Sequence, residues 1–352
     1  MKTIFTLLAF SAISLSLNAQ SYSSPESVEY DAAGNRWIVG QNGSGQIHTL
    51  SPGSGTLTQL GTTSLPNGPH GVEVLGTTVY ACDGNAIKGF DLTSGAQVFN
   101  VNLGASFLNG LTSDGGHFLF ATDFSAKKIY RINTLTNSFN LMCSTIKTPN
   151  GIIYDGANNR CVFVTWGSNA PVQAMSLGDS TITTLLTTTM GSCDGITRDP
   201  AGYWYVTAWT GNQLWRIDPN FSSAPVSVMT GLDQPADIDI NSAGDSIGIS
   251  NNGNLNNVVF YTNITTSIIA PSLIASEVFP IPATENVTVR FAQPIATVNA
   301  ELYDMTGKLI QSETFAGQQY IVRRNMLAAG TYIMVFRTAD GIVVSRQEVI
   351  FE

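Results

Sequence analysis

A short phrase recurs six times in the first three-quarters of the chain, and its second position carries residues that can do chemistry. Two copies are Pro69-His70-Gly71-Val72 and Pro149-Asn150-Gly151-Ile152. The residues at the second position of the six copies are Glu26, His70, Asn109, Asn150, Asp194 and Ala236. Repeats that serve packing alone would place similar residues there. Five of these six can instead bind a cation or move a proton, so the position predicts a functional site.

The spacing of the phrase indicates how these residues are brought together. Successive second positions are 39 to 44 residues apart. A fixed period of about 40–45 residues is typical of propeller-like arrays, in which each repeat is one supersecondary module. If each module is a blade, equivalent positions lie on one ring about a common axis. We call these six second positions the ring positions.

Strand and turn signals follow the same order within each repeat. In the fifth repeat, the run Gly195–Arg198 leads through the turn Asp199–Gly202 to the strand Tyr203–Thr207, and two further strands follow. Alternating apolar residues bounded by Gly, Asn, Asp and Pro are typical of strands and turns. Four strands in each of six units predict an all-β fold, a six-bladed β-propeller, which protects its sheet edges by radial closure.

The rhythm changes near residue 270, and this change divides the chain. We predict a propeller over residues 21–270, a linker over 271–276 and a small C-terminal β-sandwich over 277–352, a size within the lower range for a domain. Residues 1–20 have a basic start, a mostly apolar run and a small-residue cleavage context, which is typical of a secretory signal peptide. The apolar run is shorter than the ~20 residues that span a bilayer.

Composition limits the classes of partner. The net charge is −9, with scattered Lys and Arg, so the chain lacks the basic surface expected for nucleic-acid binding. The four cysteines, Cys82, Cys143, Cys161 and Cys193, allow three pairings and fit no zinc motif. We expect most of them to be buried thiols, although an exported protein leaves room for a bridge.

The oxygen donors of the ring predict a divalent cation site. Glu26 and Asp194 supply carboxylates, and Asn109 and Asn150 supply amide oxygens. Hard oxygen donors without thiolates suit Ca²⁺, which accepts six to eight oxygens, and zinc would normally require more His or Cys. Taken singly, Asn-Gly and Asp-Gly pairs are ordinary turn formers. Their shared position in successive repeats is what favours a metal site. Ca²⁺ is the favoured ion, and another divalent cation is the alternative.

His70 is the only histidine at a ring position, and it is a candidate general base. A neutral imidazole there could take a proton from water near neutral pH. Asp83 follows the next strand and could orient the ring, so we name Asp83 and Asp194 with His70 as candidate catalytic residues. The alternative is a solvated turn histidine beside a turn-forming aspartate.

Two tryptophans follow second strands and are predicted to line the same mouth. We align Trp166 and Trp209 with Asp83 of the second repeat and expect them, with Asn109, to contact substrate. Aromatic side chains there can bury a ring-shaped or acyl group. An equal alternative is that they pack between blades.

Three pieces of the tail resemble the type A sorting domain of the type IX secretion system. They are Phe279–Thr284, Leu302–Lys308 and Ala329–Tyr332. The resemblance implies a partnership with that secretion machinery and export across an outer membrane, usually with removal of the domain and attachment to the cell surface. The alternative is a sandwich that binds carbohydrate or spaces domains.

The propeller resembles the SMP-30/gluconolactonase/LRE-like group over about residues 24–270. The resemblance implies a central divalent metal held by Glu26, Asn150 and Asp194, with Asn109 at a place that contacts substrate or metal. More distantly, Pro69-His70-Gly71-Val72 is similar to the paraoxonase segment with a catalytic histidine. The second histidine of that dyad is absent, and Asp83 stands near its place.

These observations favour one function and leave two alternatives. The favoured interpretation is a secreted, calcium-dependent lactonase or esterase that acts on a small lactone or ester. The main alternative is a non-enzymatic NHL-like propeller that binds protein or glycan and holds a structural ion. A propeller of the strictosidine-synthase type is a third possibility, which the ligand-rich ring makes less favourable. Fold alone does not decide among them.

Overall fold

The chain divides between Thr266 and Ser267 into two compact units. The computed structural model describes residues 22–52, 55–262, 264, 274, 276–305, 308–338 and 343–352. The predicted signal peptide, residues 1–20, and most of the predicted linker, residues 271–276, lie outside the described residues.

The first unit begins with three four-stranded antiparallel sheets, each in sequence order. The first sheet contains β1 (Pro25–Asp31), β2 (Arg36–Gln41), β3 (Gln46–Leu50) and β4 (Leu57–Gln59). The second contains β5 (Val72–Leu75), β6 (Thr78–Asp83), β7 (Ala86–Asp91) and β8 (Gln97–Asn102). The third contains β9 (Leu108–Ser113), β10 (Phe118–Asp123), β11 (Lys128–Asn133) and β12 (Phe139–Ser144).

Three further sheets complete the first unit. The fourth contains β13 (Thr148–Asp155), β14 (Arg160–Trp166), β15 (Val172–Ser176) and β16 (Ile182–Leu186), with a 3₁₀ turn at Gly156–Asn158. The fifth contains β17 (Cys193–Arg198), β18 (Trp204–Ala208), β19 (Gln213–Ile217) and β20 (Val226–Met229). The sixth has three strands among the described residues: β21 (Pro235–Ile240), β22 (Ile247–Asn251) and β23 (Asn257–Tyr261).

The six sheets are the blades of a propeller, and this confirms the predicted fold class. The innermost strands contact one another in the cyclic order β1, β5, β9, β13, β17, β21 and back to β1. A buried apolar cluster lies between each pair of neighbouring blades. The cluster between the last blade and the first includes Val28 and Trp37, against which Val258 packs. The second strands are buried almost throughout because both faces of each blade pack on a neighbour.

Glycine follows the ring position where neighbouring inner strands approach most closely. A Cβ atom on Gly110 would lie 2.4 Å from the carbonyl oxygen of Asn150, and one on Gly151 would lie 2.2 Å from that of Asp194. A Cβ atom on Gly71 would lie 2.2 Å from the carbonyl oxygen of Asn109. These glycines are therefore within or beside strands and permit close backbone approach, which differs from the turn role that such pairs have singly.

Hydroxyl groups on second strands tie three of the blades to the next one. Thr122 Oγ1 accepts a hydrogen bond from the Gly110 amide and donates one to the Asn150 carbonyl, both at 2.8 Å. Thr207 repeats the pattern two blades later, donating to the Ala236 carbonyl at 2.7 Å. Ser250 donates to the Glu26 carbonyl at 3.0 Å and so joins the sixth blade to the first. The ring of inner strands is thus closed by hydrogen bonds as well as by packing.

The C-terminal unit is built from one sheet that bends back on itself. Its strands are β24 (Ser276–Phe279), β25 (Asn286–Asp304), β26 (Leu309–Arg323), β27 (Gly330–Arg337) and β28 (Val343–Phe351). The long β25 shifts register between Arg290 and Val298, so that its first half pairs with β24 and its second half with β27. Phe291 of β25 and Phe336 of β27 pack edge to face with ring centroids 5.0 Å apart. The predicted small C-terminal β-sandwich is therefore present.

Two smaller expectations concern cysteines and membrane spans. All four cysteines are free thiols, three of them buried and Cys143 half-buried. No helix in the described part of the chain is long and apolar enough to cross a membrane.

The close approach of inner strands predicts the effect of adding one methyl group. Gly151→Ala should lower the free energy of unfolding by roughly 1–3 kcal/mol, the usual cost of overpacking, because its Cβ would collide with the Asp194 carbonyl. Urea denaturation measures this change. In the control Gly178→Ala the nearest atom would be 3.8 Å away, so stability should stay within about 0.5 kcal/mol. Equal stability of the two variants would contradict the close approach.

Candidate functional site

Four ring positions hold buried oxygen donors near the start of inner strands. Glu26 lies on β1, Asn109 on β9, Asn150 on β13 and Asp194 on β17, and each is less than a tenth exposed. The carbonyls of Asn109, Asn150 and Asp194 each abut the glycine of the preceding blade, as described above. These donors therefore lie at one level, at the end of the propeller where the inner strands begin.

The two carboxylates of the ring are close enough to affect each other's ionisation. Burial raises the pKa of Glu26 to about 7, against the opposing effect of a hydrogen bond from the Asn252 side chain. Burial also raises the pKa of Asp194 well above its usual range, and the charges of Glu26 and Asp237 raise it further. Neither Glu26 nor Asp194 forms an ion pair with a basic side chain among the described residues. Two buried carboxylates without a counter-charge are costly.

Asn150 presents a buried oxygen atom without a hydrogen-bond donor. Its side-chain Nδ2 donates to the Cys193 carbonyl at 3.1 Å, which fixes the amide. Its Oδ1 atom is buried and has no hydrogen-bond partner among the described residues. Buried polar atoms in proteins are nearly always paired, so this oxygen is available to accept from water or to bind an ion.

This donor set fits a hard divalent cation. The described residues contain no group of three or more His, Cys, Asp and Glu side chains that could hold a metal ion. A cation in the ring would therefore depend on amide oxygens together with the two carboxylates. Ca²⁺ accepts such mixed oxygen ligands and tolerates irregular geometry. A doubly charged ion would also neutralise Glu26 and Asp194 and would supply a partner for Asn150 Oδ1.

His70 occupies the ring position of the second blade and is half-buried. Its Nε2 atom lies 2.8 Å from the side-chain nitrogen of Asn42. Burial lowers the pKa of His70 to about 4, although the Asp83 carboxylate and the Asn67 backbone act in the opposite direction. The net pKa is lowered because desolvation of the imidazolium outweighs the nearby Asp83 charge. His70 is therefore neutral at neutral pH.

Asp83 is occupied by partners other than His70. Its carboxylate forms an ion pair with Lys88 Nζ at 2.6 Å and accepts a hydrogen bond from the Asn67 amide at 2.7 Å. The hydrogen bonds found for the His70 ring connect it to Asn42. The structure therefore brings Asp83 within electrostatic range of His70 and assigns the direct contact to Asn42, which the sequence reasoning missed.

The alignment of the two tryptophans with Asp83 is wrong by one residue. Asp123 pairs with Leu108 in the third blade, and the corresponding pairs are Thr165 with Pro149 and Ala208 with Cys193. Asp83 therefore aligns with Asp123, Thr165 and Ala208. The next position along, which we call the rim position, is occupied by Asn42, Gly84, Phe124, Trp166, Trp209 and Asn252.

Rim residues contact ring residues directly. The Asn252 amide donates to a carboxylate oxygen of Glu26, and Asn42 contacts His70 in the same way one blade later. The Trp209 side chain lowers the pKa of Asp194 and so lies beside it. Trp166 and Trp209 contact each other with ring centroids 5.1 Å apart. The tryptophans therefore both line the mouth and pack across neighbouring blades.

A second group of carboxylates lies further along the inner strands, three of them three residues after a ring position and Asp237 one residue after Ala236. Glu29, Glu73, Asp237 and Asp239 line a cavity of about 370 Å³. Burial raises the pKa of Glu73 to about 8 and that of Asp239 to about 6, and it raises those of Glu29 and Asp237 well above the usual range. The sequence reasoning did not identify this group, although the offset of three from Glu26, His70 and Ala236 is visible in the sequence.

Comparison with known proteins supports the assignment of both units. Residues 277–350 match the family described as the secretion system C-terminal sorting domain. No curated protein matches the chain by sequence. Among solved structures, the fold is similar to a gluconolactonase from Xanthomonas campestris, with a TM-score of 0.56 and 14% identity over 66% of this chain and 84% of that chain.

Two further solved structures extend the comparison. Luciferin-regenerating enzyme gives a TM-score of 0.55 and 15% identity over 65% of this chain and 84% of that chain. A chain of a nidogen/laminin complex gives a TM-score of 0.51 and 15% identity over 62% of this chain and 90% of that chain. At these identities the similarities show the fold alone. The first unit thus has a propeller fold, and the second matches a secretion system sorting domain.

The raised pKa values predict that the cation-free propeller loses stability as pH rises from 5 to 8. The unfolded chain releases its glutamate protons near 4.5, whereas folded Glu73 holds its proton to about 8. The folded state then binds more protons in this window, so the free energy of unfolding falls with rising pH. Differential scanning calorimetry in a chelating buffer measures the fall in Tm.

Removing one titrating group should flatten this dependence. Glu73→Gln keeps an acceptor for the Ser113 hydroxyl and removes the charge, so its Tm should fall less between pH 5 and 8. Asp245→Asn, in an exposed turn, should retain the parental slope. A parental Tm that stays constant or rises over this range would contradict the electrostatic account.

Proposed function

We propose that the protein is an exported, divalent-cation-dependent hydrolase of lactones or esters, with its site at the mouth of the propeller where the inner strands begin. The observation that carries this proposal is the buried Oδ1 of Asn150 together with two buried carboxylates, Glu26 and Asp194. Among the described residues, this oxygen has no hydrogen-bond partner and neither carboxylate has a basic partner in an ion pair. The fold that the chain shares with a gluconolactonase agrees with this chemistry.

Glu26, Asn109, Asn150 and Asp194 are the residues that would hold the cation, with Ca²⁺ as the favoured ion. When bound, the ion supplies positive charge that polarises the substrate carbonyl and stabilises developing negative charge on its oxygen. Asn252 holds the Glu26 carboxylate, and the Cys193 carbonyl holds the Asn150 amide. These contacts fix the donors before substrate arrives, which limits reorganisation during the reaction.

Two residues are candidates for the general base that takes a proton from water. His70 is neutral at neutral pH and therefore has a lone pair available, although its low pKa makes it a weak base and its Nε2 contacts Asn42. Asp194 is the other candidate, because a positioned carboxylate can also accept a proton. Both side chains belong to the same ring. Asp83 would act on His70 through its charge.

The C-terminal unit would deliver the propeller out of the cell. Its match to the sorting-domain family supports export through a dedicated secretion machinery. We propose that this is the type IX system, that the sorting domain is removed after export, and that the propeller remains attached to the cell surface. The catalytic residues named above all belong to the first unit.

The first test is hydrolysis with and without metal. The purified propeller should contain about one Ca²⁺, and its hydrolysis of δ-lactones, followed in a pH-stat, should stop with chelator and return with added Ca²⁺. Asp194→Asn removes one of two ligand charges, so calcium affinity measured calorimetrically should fall by at least about tenfold. Asp179→Asn, on an exposed turn, is the control. A well-folded protein that binds calcium but hydrolyses no lactone or ester would instead support a binding module.

The second test separates metal binding from proton transfer. His70→Gln leaves the four oxygen donors in place, so calcium content should be unchanged, whereas the rate should fall by ~10²–10⁴-fold if His70 is the base. The rate of the parental enzyme should then decline only as pH falls toward about 4, the pKa that burial imposes on His70. Full activity of His70→Gln would remove His70 from the mechanism and assign proton transfer to Asp194.

A further inference from the structure

The mouth of the propeller carries a continuous row of aromatic side chains on one side. We call this row the aromatic arc; its members are His70, Phe107, Phe124, Trp166 and Trp209. Successive ring centroids are 4.5, 5.9, 5.6 and 5.1 Å apart, and the interplanar angles lie between 66° and 87°. All five side chains are half-buried. Edge-to-face contacts of this kind are favourable by themselves, so the arc is formed before any ligand binds.

Both ends of the arc adjoin the proposed catalytic ring. His70 is itself a ring residue, and the Trp209 backbone amide donates to the Ser192 carbonyl at 3.1 Å, two residues before Asp194. Between them, the backbone amide of Phe124 donates to the Phe107 carbonyl at 2.8 Å, which joins the two loops that flank Asn109. The arc therefore spans the second to fifth blades, on the side of the ring that holds Asn109, Asn150 and Asp194.

The opposite side of the mouth is polar and uncharged. The sixth and first blades place Asn252 and Asn42 at their rim positions, and both amides are engaged with ring residues. None of the six rim positions carries a formal charge. A polyhydroxylated ring would require several hydrogen-bond partners at this place, whereas the arc offers mainly apolar ring faces and edges.

We propose that the aromatic arc binds an aryl or medium-chain alkyl group of the substrate, so that the protein prefers apolar lactones or esters to sugar lactones. This inference rests on the proposed hydrolytic function and specifies its substrate class. Phe107 and Phe124 become specificity-determining residues, together with Trp166 and Trp209. An apolar group laid on half-exposed rings removes apolar surface from water on both partners, and buried aromatic contacts are a common source of ligand affinity.

The test compares lactones that share a six-membered ring and an alkyl leaving group. They are δ-valerolactone, its 5-phenyl and 5-pentyl derivatives, and glucono-δ-lactone. We expect kcat/KM for the phenyl derivative to exceed that for δ-valerolactone by roughly 10–100-fold, the range that a well-buried apolar group provides. Equal or greater preference for glucono-δ-lactone would overturn the inference and leave the hydrolase proposal intact.

Substitutions in the aromatic arc test whether its side chains cause the substrate preference. In Phe124→Ala, the ratio of kcat/KM for the phenyl derivative to kcat/KM for δ-valerolactone should fall by about tenfold, because one aromatic contact is lost. Phe124→Leu keeps an apolar side chain and controls for a folding defect. It should retain most of the preference for the pentyl derivative over δ-valerolactone. Phe139→Ala removes an exposed aromatic on the outer strand of the same blade and should leave both ratios unchanged. An unchanged ratio in Phe124→Ala would overturn the inference.

A binding measurement separates failure of the arc from failure of catalysis. The lactam 6-phenylpiperidin-2-one resists hydrolysis and should quench tryptophan fluorescence on binding, with about tenfold weaker affinity in Phe124→Ala. If none of the four lactones is hydrolysed, the hydrolase proposal fails, and this titration still decides whether the arc binds an apolar ring. Absence of binding to the parental protein would overturn the inference.

Discussion

Close approach of the inner strands determines the geometry of the whole mouth. Where Gly110 and Gly151 follow the ring residues, the neighbouring backbone lies nearer than a Cβ atom would allow. Hydroxyls such as that of Thr122 then bridge the two strands in place of direct backbone pairing. Donors from different blades are thereby held at one level, although they are far apart in sequence. Packing between blades stabilises the propeller, and the close backbone approach sets the register between neighbouring inner strands.

The same geometry creates an electrostatic problem that a cation would relieve. It brings Glu26 and Asp194 into a buried space without basic partners, and burial raises the pKa of both. Such an arrangement destabilises a folded protein unless something compensates the charge. The carboxylates beyond the ring, including Glu73 and Asp239, extend this acidic character along the inner strands. Selection for stability alone would not accumulate such groups, whereas positively charged ligands or proton chemistry explain them.

The repeat in the sequence made the ring positions predictable, whereas irregularities in the backbone concealed the second group of carboxylates and the alignment of the tryptophans. A period in the sequence is sufficient to align Glu26 with Asp194, and the structure places both at the same end. However, the inner strands have register shifts at the repeated phrase, for example between Pro149 and Ile152. Such bulges break simple alternation, so Glu29, Glu73 and Asp239 of the second group fall three residues from a ring position and not two or four. A shift of one residue likewise misaligned Trp166 and Trp209. The low pKa of His70 depends on burial, which spacing does not reveal.

The predicted destination of the protein is consistent with the composition of the ring. Two carboxylates and two amides form a site of modest charge, and calcium sites with few charged ligands bind weakly. Extracellular calcium modules work with dissociation constants of about 10⁻⁴–10⁻³ M, because the ion is abundant outside cells. A propeller that carries a sorting domain for export therefore needs no denser cluster of acids to remain loaded. Before export, the raised pKa values keep part of the acidic ring protonated, which reduces repulsion in the cation-free chain. The proposed calcium site, with few charged donors, would thus suit a propeller that leaves the cell with its sorting domain.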